Sequence, residues 1–161
     1  MEGRIHQLNC SRGGVPKLPV PEALLTPTGL DKDTVAHPNI HGGPERALCL
    51  FSLELIRKLR AEGHPIYPGS AGENVTLEGL DWSRLVPGVR LALGEEVVVE
   101  VSSYTSPCST IRASFTAGYY KRISQKVNPG DSRVYARVVR TGRLAVGQPV
   151  RLLDGNGTGP V

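Results

Sequence analysis

The sequence lacks the patterns that mark membrane, secreted and zinc-ribbon proteins. It has no apolar run of about 18 residues, and its first ten residues contain no signal-peptide core, so we expect a cytosolic protein without a membrane partner. Its cysteines, Cys10, Cys49 and Cys108, lie far apart and form no CxxC pair. This spacing argues against a zinc ribbon, and the odd number argues against a disulfide framework. We therefore expect reduced thiols.

Motifs for nucleotide binding and for hydrolysis are missing as well. The segment PGSAGEN lacks the Lys-Ser/Thr of a phosphate loop, and no GxSxG is present. His37 and His41 are four residues apart, but Pro38 and a double glycine argue against a helix that would bring both onto one zinc. The net charge is +4, yet aromatics make up 5% and the cations are scattered, so nucleic acid is the weakest partner hypothesis.

What the sequence does contain predicts one β-rich domain. A chain of 161 residues is the size of a single domain, and 19 Gly and 13 Pro indicate many turns. Ser52 and Gly63 mark the start and end of the clearest helix. Strands are predicted at 3–10, 17–26 (a sheet edge), 74–77, 86–103 (two strands joined at 93–95), 132–146 (a hairpin turning at 141–142) and 148–153.

This spacing favours a mainly β fold, a closed or half-closed β-barrel with a few short helices. Closure removes the exposed edges that a small open sheet would leave. We expect the domain to span 1–153 and the residues 154–161 to form a flexible tail.

Cys108 follows an alternating β-branched run in VSSYTSPCSTI. If a helix follows, Ser106 can cap it and Pro107 suits its first position, which would place Cys108 in the first turn. The helix dipole there lowers the pKa of a thiol, and a thiolate is both a nucleophile and a soft metal ligand. The alternative is a buried structural cysteine, which is our interpretation of Cys10 and Cys49.

The long polar segment 29–45 is interpreted as a functional loop. Within it, His41 is followed by Gly42 and Gly43, which places an imidazole beside backbone that a ligand can approach closely. Arg46 is near enough in sequence to hold an anion. A solvated turn histidine is the alternative.

Several segments, taken in order, resemble the MOSC domain, the C-terminal domain of molybdenum-cofactor sulfurases. They are HGGPERALCLFS, PGSAGENVTLEGLDW, a GxxLxLG pattern and a strand ending in SPC. The stand-alone bacterial members are most similar, including the SYTSPCSTI and SRVYARVV segments. The similarity runs from SRGGVPK to GQPVRL and implies a β-barrel-like fold with few helices.

The resemblance also implies a site. The cysteine of the family's Pro-Cys motif, which carries sulfur or binds molybdenum, corresponds to Cys108. The family's His-Gly-Gly and Gly-Glu-Asn correspond to His41, Gly42, Gly43, Gly72, Glu73 and Asn74. From the residues alone, Glu73 and Asn74 are either a carboxylate and an amide on a pocket rim or a turn-forming pair.

One departure from the family concerns the residues before Pro-Cys. Many relatives have an Arg there, where this chain has Thr105 and Ser106. Hydroxyl groups can bond phosphate oxygens of the pterin, and Lys17, Arg46 or Arg112 could supply positive charge.

The function implied by the resemblance is that of a molybdenum-cofactor-dependent oxidoreductase. It would reduce a small N-hydroxylated compound, with Cys108 as molybdenum ligand and groups around His41 and Asn74 orienting the pterin or substrate. The N-terminal barrel and cysteine desulfurase domains of larger relatives are not in this sequence, so a reductase would supply electrons or a cysteine desulfurase would supply sulfur. The alternative is a non-catalytic carrier of sulfur or cofactor that uses a Cys108 persulfide.

Overall fold

The computed structural model describes residues 2–34 and 42–153. In these residues the chain forms eleven strands and an α-helix, α1 (Leu53–Ala61). Short 3-10 helices lie at Pro44–Arg46, Trp82–Arg84, Ser109–Ser114, Thr116–Gly118 and Tyr120–Ile123. The strands are β1 (Glu2–Cys10), β2 (Leu18–Val20), β3 (Glu22–Thr26), β4 (Gly29–Leu30), β5 (Leu48–Ser52), β6 (Val75–Glu78), β7 (Arg90–Leu93), β8 (Val97–Tyr104), β9 (Val134–Arg140), β10 (Gly142–Ala145) and β11 (Pro149–Leu152).

Seven of these strands close into a barrel. Their order is β11-β7-β8-β9-β5-β6-β1, and β1 pairs again with β11 to complete the circle. Neighbours are antiparallel except β5 and β6, which run parallel and are connected through α1. The far end of β1 also pairs with β2, while β10, β3 and β4 form a separate three-stranded sheet. The predicted β-barrel with few helices is confirmed.

Alternating side chains fill the barrel. On β8, Val97, Val99 and Val101 belong to the central cluster, and Val134 and Ala136 of β9 face them. Successive residues of a strand point to opposite faces, so the residues between them face out of the barrel. The side chains on one face of a strand can therefore pack in the core while those on the other face line a site.

Helix α1 packs outside the barrel on a second apolar cluster. Ile56 and Leu59 of α1 join Ile111 and Phe115 from the segment after Cys108. This packing ties the segment to the helix. The helix begins as predicted, because the Ser52 hydroxyl accepts a hydrogen bond from the Leu55 N–H at 3.1 Å. No helix within the described residues is long and apolar enough to span a bilayer.

The predicted hairpin at 132–146 is wrong. β9 and β10 do follow one another, but β9 pairs with β5 and β8, whereas β10 pairs with β3. Both edges of β9 are occupied by barrel strands, so no edge is left for β10. The predicted segment 17–26 divides in the same way, at Pro21, between the barrel sheet (β2) and the small sheet (β3). The predicted tail 154–161 lies outside the described residues.

Candidate functional site

A pocket of about 170 Å³ lies against the outer face of the barrel wall formed by β5 and β9. Cys49 and Tyr135 are direct cross-strand partners, and each alternates with residues of the barrel core, so both side chains face the pocket. The charged lining residues are Lys17, Asp33, Arg46 and Arg133. Cys108 provides a second thiol in the lining.

Cys108 is half-buried and follows the end of β8. The predicted helical turn around it is wrong: the following helix is a 3-10 helix that begins at Ser109, and Cys108 is extended, with φ −134° and ψ 172°. Cys108 itself is the N-cap of this helix, without a side-chain capping hydrogen bond, so Ser106 and Pro107 lie before the helix. The thiol Sγ lies 2.8 Å from the Thr110 Oγ1, and either atom can donate that hydrogen bond.

Asn74, Asp33 and Lys17 form a buried network along one wall. Lys17 Nζ donates to both oxygens of Asp33, at 2.7 and 2.9 Å, and these two side chains are only 11% and 8% exposed. Asp33 also accepts from the Ser11 N–H at 2.9 Å and from Asn74 Nδ2 at 2.9 Å. Asn74 Oδ1 in turn accepts from the backbone N–H of Cys49 at 3.0 Å. Asn74 therefore positions both a charged pair and a pocket strand.

Arg133 immediately precedes β9 and is 6% exposed. Its Nη1 donates to the Ala71 carbonyl at 2.7 Å, while its buried Nε has no hydrogen-bond partner within residues 2–34 and 42–153. Arg133 was not among the residues predicted for the site. Arginine beside a β-branched strand is ordinarily solvent-exposed, and the pairing that turns this one inward joins segments far apart in sequence.

Burial favours the neutral forms of two further pocket side chains, Tyr135 and Cys49. Burial raises the pKa of the Tyr135 phenol well above its ordinary value, against the opposing charges of Arg133 and Arg46. The Arg46 guanidinium lies 5.8 Å from the centroid of the Tyr135 ring, a cation–π contact. Burial likewise raises the pKa of Cys49, although the charge of Arg133 and a hydrogen bond with Thr105 lower it. Cys49, interpreted as structural, is buried but faces the pocket.

The structure brings together about half of the residues predicted for the site. Those that line the pocket are Lys17, Arg46, Asn74, Ser106 and Cys108. The predicted residues that the structure describes but that do not line the pocket are Gly42, Gly43, Glu73, Thr105 and Arg112. The predicted residue His41 lies outside the described residues.

Three predicted residues that do not line the pocket, Thr105, Arg112 and Glu73, lie behind the pocket, at the surface and in the buried interior. Thr105 is buried behind the pocket, with its Oγ1 3.7 Å from the Cys49 Sγ, and Arg112 is exposed on the 3-10 helix after Cys108. Glu73 is fully buried and accepts from the Thr76 hydroxyl at 3.1 Å. Burial raises the pKa of Glu73 even though the backbone N–H groups of Gly69 and Glu73, the Thr76 hydroxyl and the Arg133 charge lower it.

The charge balance of the pocket is positive. The lining contributes the cations Lys17, Arg46 and Arg133 against the single carboxylate of Asp33. No group of three or more His, Cys, Asp or Glu side chains in the described part of the chain is arranged to hold a metal ion. The arrangement therefore suits an anionic ligand, with a thiol available to attack or coordinate it.

Comparison with known proteins gives a family match and several relatives. The model of the MOSC domain family matches residues 37–151. Protein YiiM of Escherichia coli (strain K12) is 29% identical over 137 residues, which are 83% of this chain and 60% of that protein. A protein named "Reductase" from Gibberella moniliformis is 28% identical over 118 residues, 71% of this chain and 21% of its own length. This chain thus spans less than two thirds of either relative.

A solved structure shares the fold. The crystal structure of YiiM from Geobacillus stearothermophilus superposes with a TM-score of 0.74 at 24% identity, covering 94% of this chain and 75% of that one. At this identity the likeness concerns the fold.

Proposed function

This chain belongs to the MOSC domain family, and we propose that its pocket binds the molybdenum cofactor and that Cys108 is the protein ligand to molybdenum. The observation that carries the proposal is the combination, in one pocket, of a half-exposed thiol with an excess of cations. Thiolates are soft ligands suited to such a metal, and cations suit the phosphate of a pterin.

The residues of the pocket fit the cofactor in two respects. The lining offers one accessible thiol and no His or carboxylate cluster within the described residues, as expected where the cofactor itself supplies the other metal ligands. Arg133 lines the pocket, and its buried Nε lacks a partner within those residues, so the described chain does not fully bond its guanidinium. Cys108 would hold the metal, while Lys17, Arg46 and Arg133 would hold the anionic part.

We further propose that the reaction is the reduction of N-hydroxylated compounds. An N–OH group accepts two electrons and two protons and gives N–H and water, so a reductant is required, and a separate reductase would supply it. The cofactor supplies the metal centre that exchanges these electrons. The raised pKa of Tyr135 keeps its phenol protonated, so this side chain can donate a hydrogen bond to the substrate or cofactor.

The fungal relative named "Reductase" supports a redox role, although this chain spans only 21% of it. The rest of that protein has no counterpart in the matched region. In our proposal the electrons reach the cofactor site from a separate reductase.

Metal analysis tests the cofactor proposal. The full chain, reconstituted with cofactor, is expected to contain one molybdenum per protein. Cys108→Ser is expected to lose most of it because the proposed thiolate ligand is removed. Cys10→Ser is the matched control, since Cys10 is buried and does not line the pocket. Equal molybdenum in Cys108→Ser and the unsubstituted protein would contradict the proposed ligand.

The half-exposed state of Cys108 also favours a second candidate, a carrier that holds sulfur as a persulfide. A cysteine desulfurase would transfer one sulfur atom onto the Cys108 thiolate, and the carrier would pass it on. Mass spectrometry after incubation with a desulfurase and cysteine distinguishes the two. A stable added sulfur on Cys108 without bound molybdenum favours the carrier, and its absence removes this candidate.

A further inference from the structure

We propose that Arg133, which immediately precedes β9, is the oxyanion-binding residue of this pocket. The assignment of the oxyanion to the cofactor rests on the proposed function. The anion site itself rests on the geometry of Arg133.

The first observation is an incompletely bonded guanidinium in the pocket wall. Arg133 is 6% exposed, and its side chain makes one hydrogen bond, from Nη1 to the Ala71 carbonyl, while Nε is buried without a partner within residues 2–34 and 42–153. A guanidinium stays charged at any physiological pH and has five N–H donors. A buried charge in this condition is costly unless an anion completes its bonding.

The second observation is the place of Arg133 relative to the Pro-Cys segment. The backbone N–H of Thr105 donates to the Arg133 carbonyl at 2.9 Å, and the Ser132 hydroxyl lies 3.3 Å from the Thr105 carbonyl. Arg133 is thus bonded through its backbone to Thr105, three residues before Cys108. A cation from this position reaches the same pocket as Cys108.

The third observation concerns the counter-charge. Glu73 is the buried carboxyl whose charge interacts with Arg133, but the ion pairs of the described residues do not join the two. One oxygen of Glu73, Oε1, is itself buried without a partner among those residues, and burial raises the pKa of this carboxyl. Asp33 is already bonded to Lys17, Ser11 and Asn74. Among the described residues neither carboxyl makes an ion pair with Arg133, so an anionic ligand could complete the bonding of its guanidinium.

The ligand that suits a guanidinium fork is a planar or tetrahedral oxyanion, bound through two parallel N–H donors. In this pocket we assign it to the phosphomonoester class. The phosphate can belong to the pterin cofactor or to free phosphate, and the two sources give different results in the experiment.

The experiment measures binding of inorganic phosphate to the full chain without cofactor, by isothermal titration calorimetry. The unsubstituted protein is expected to bind phosphate, and Arg133→Gln is expected to bind it about 10- to 100-fold more weakly, the loss typical of one charged hydrogen-bonding group. Arg133→Lys, which keeps the charge but loses the fork, is expected to fall between them. Arg112→Gln, an exposed arginine outside the pocket, is the matched control and is expected to bind as the unsubstituted protein does.

The absence of phosphate binding by the unsubstituted protein would overturn the proposal, whatever the variants do. Unchanged binding by a folded Arg133→Lys and Arg133→Gln would do the same. If Arg133→Gln does not fold, Arg133→Lys decides the matter.

A second titration separates this proposal from the cofactor proposal. The oxidised, metal-free pterin is added with and without its phosphate. A preference for the phosphorylated form that disappears in Arg133→Gln assigns the cofactor phosphate to Arg133. If the protein binds inorganic phosphate, does not bind the phosphorylated pterin more tightly and contains no molybdenum after reconstitution, the anion site at Arg133 is supported and the cofactor proposal is refuted. Equal binding of both pterin forms with normal molybdenum content refutes the Arg133 site and keeps the cofactor.

Discussion

Replacement of Asn74 by alanine is the sharpest test of how the pocket wall is held. Asn74 is buried, and its amide joins the backbone N–H of Cys49, at 3.0 Å, to the Asp33 carboxylate, at 2.9 Å. Alanine removes both interactions and leaves a buried N–H on β5 without its acceptor. It also removes one of the donors that neutralise Asp33.

The structure allows the size of the effect to be worked out. An unsatisfied buried N–H costs about 1–3 kcal/mol, and a lost hydrogen bond to a charged group costs about 1.5–3 kcal/mol. Water from the adjoining pocket can recover part of this, so we expect Asn74→Ala to lower the free energy of unfolding by about 2–5 kcal/mol. Domains of this size have about 5–15 kcal/mol in total, so the variant should fold with a much lower stability.

Urea unfolding followed by the fluorescence of Trp82, the single tryptophan, measures this change. Trp82 is a suitable reporter because it donates to the Ser132 carbonyl at 2.9 Å and packs edge-on against Phe51. Asn128→Ala is the control: its amide makes one bond, to the Arg122 carbonyl, in a half-buried loop, and we expect a loss of about 0.5–1.5 kcal/mol. A loss for Asn74→Ala no larger than this control would refute the bridging role.

Two further predictions concern ionisable groups. Alkylation of the folded protein near pH 8 should modify Cys108 first, because burial raises the pKa of Cys10 to about 11 and that of Cys49 above its ordinary value of 9.0. Mass spectrometry measures the rate at each cysteine, and equal rates for Cys49 and Cys108 would contradict this prediction. The raised pKa of Glu73 means that the folded state keeps the proton longer than the unfolded chain. Stability should therefore fall as pH rises above 4.5, by at most about 1.4 kcal/mol per pH unit, and Glu73→Gln should remove this slope in urea unfolding while the exposed Glu95→Gln does not.

The fold could be predicted from the sequence wherever the signal was local. The capped helix after Ser52 and the strand pair joined at Gly94 both follow from neighbouring residues. The hairpin at Thr141 failed because a local turn signal does not reveal which edges are already taken. The paired edges of β9 belong to β5, some 85 positions earlier in the chain, and to β8, and only the closed barrel makes this visible.

The resemblance and the chemistry of single residues together predicted part of the pocket lining, namely Cys108, Lys17, Arg46 and Asn74. The helix expected to hold Cys108 in its first turn is a 3-10 helix that begins only at Ser109, so Cys108 lies before it. Arg133 was missed because its burial arises from contacts with residues distant in sequence, Ala71 and Thr105. A single sequence contains no signal that distinguishes a buried arginine of this kind from a solvent-exposed one.

The barrel itself explains why the pocket residues are held in place. Cys49 and Tyr135 face the pocket because their neighbours on β5 and β9 face the core, and a slip of one residue in this pairing would exchange the two sets. Such a slip would bury the Arg133 guanidinium or Tyr135 hydroxyl in an apolar barrel, which is strongly unfavourable. The apolar packing that stabilises the barrel therefore also fixes which residues of β5 and β9 face the pocket.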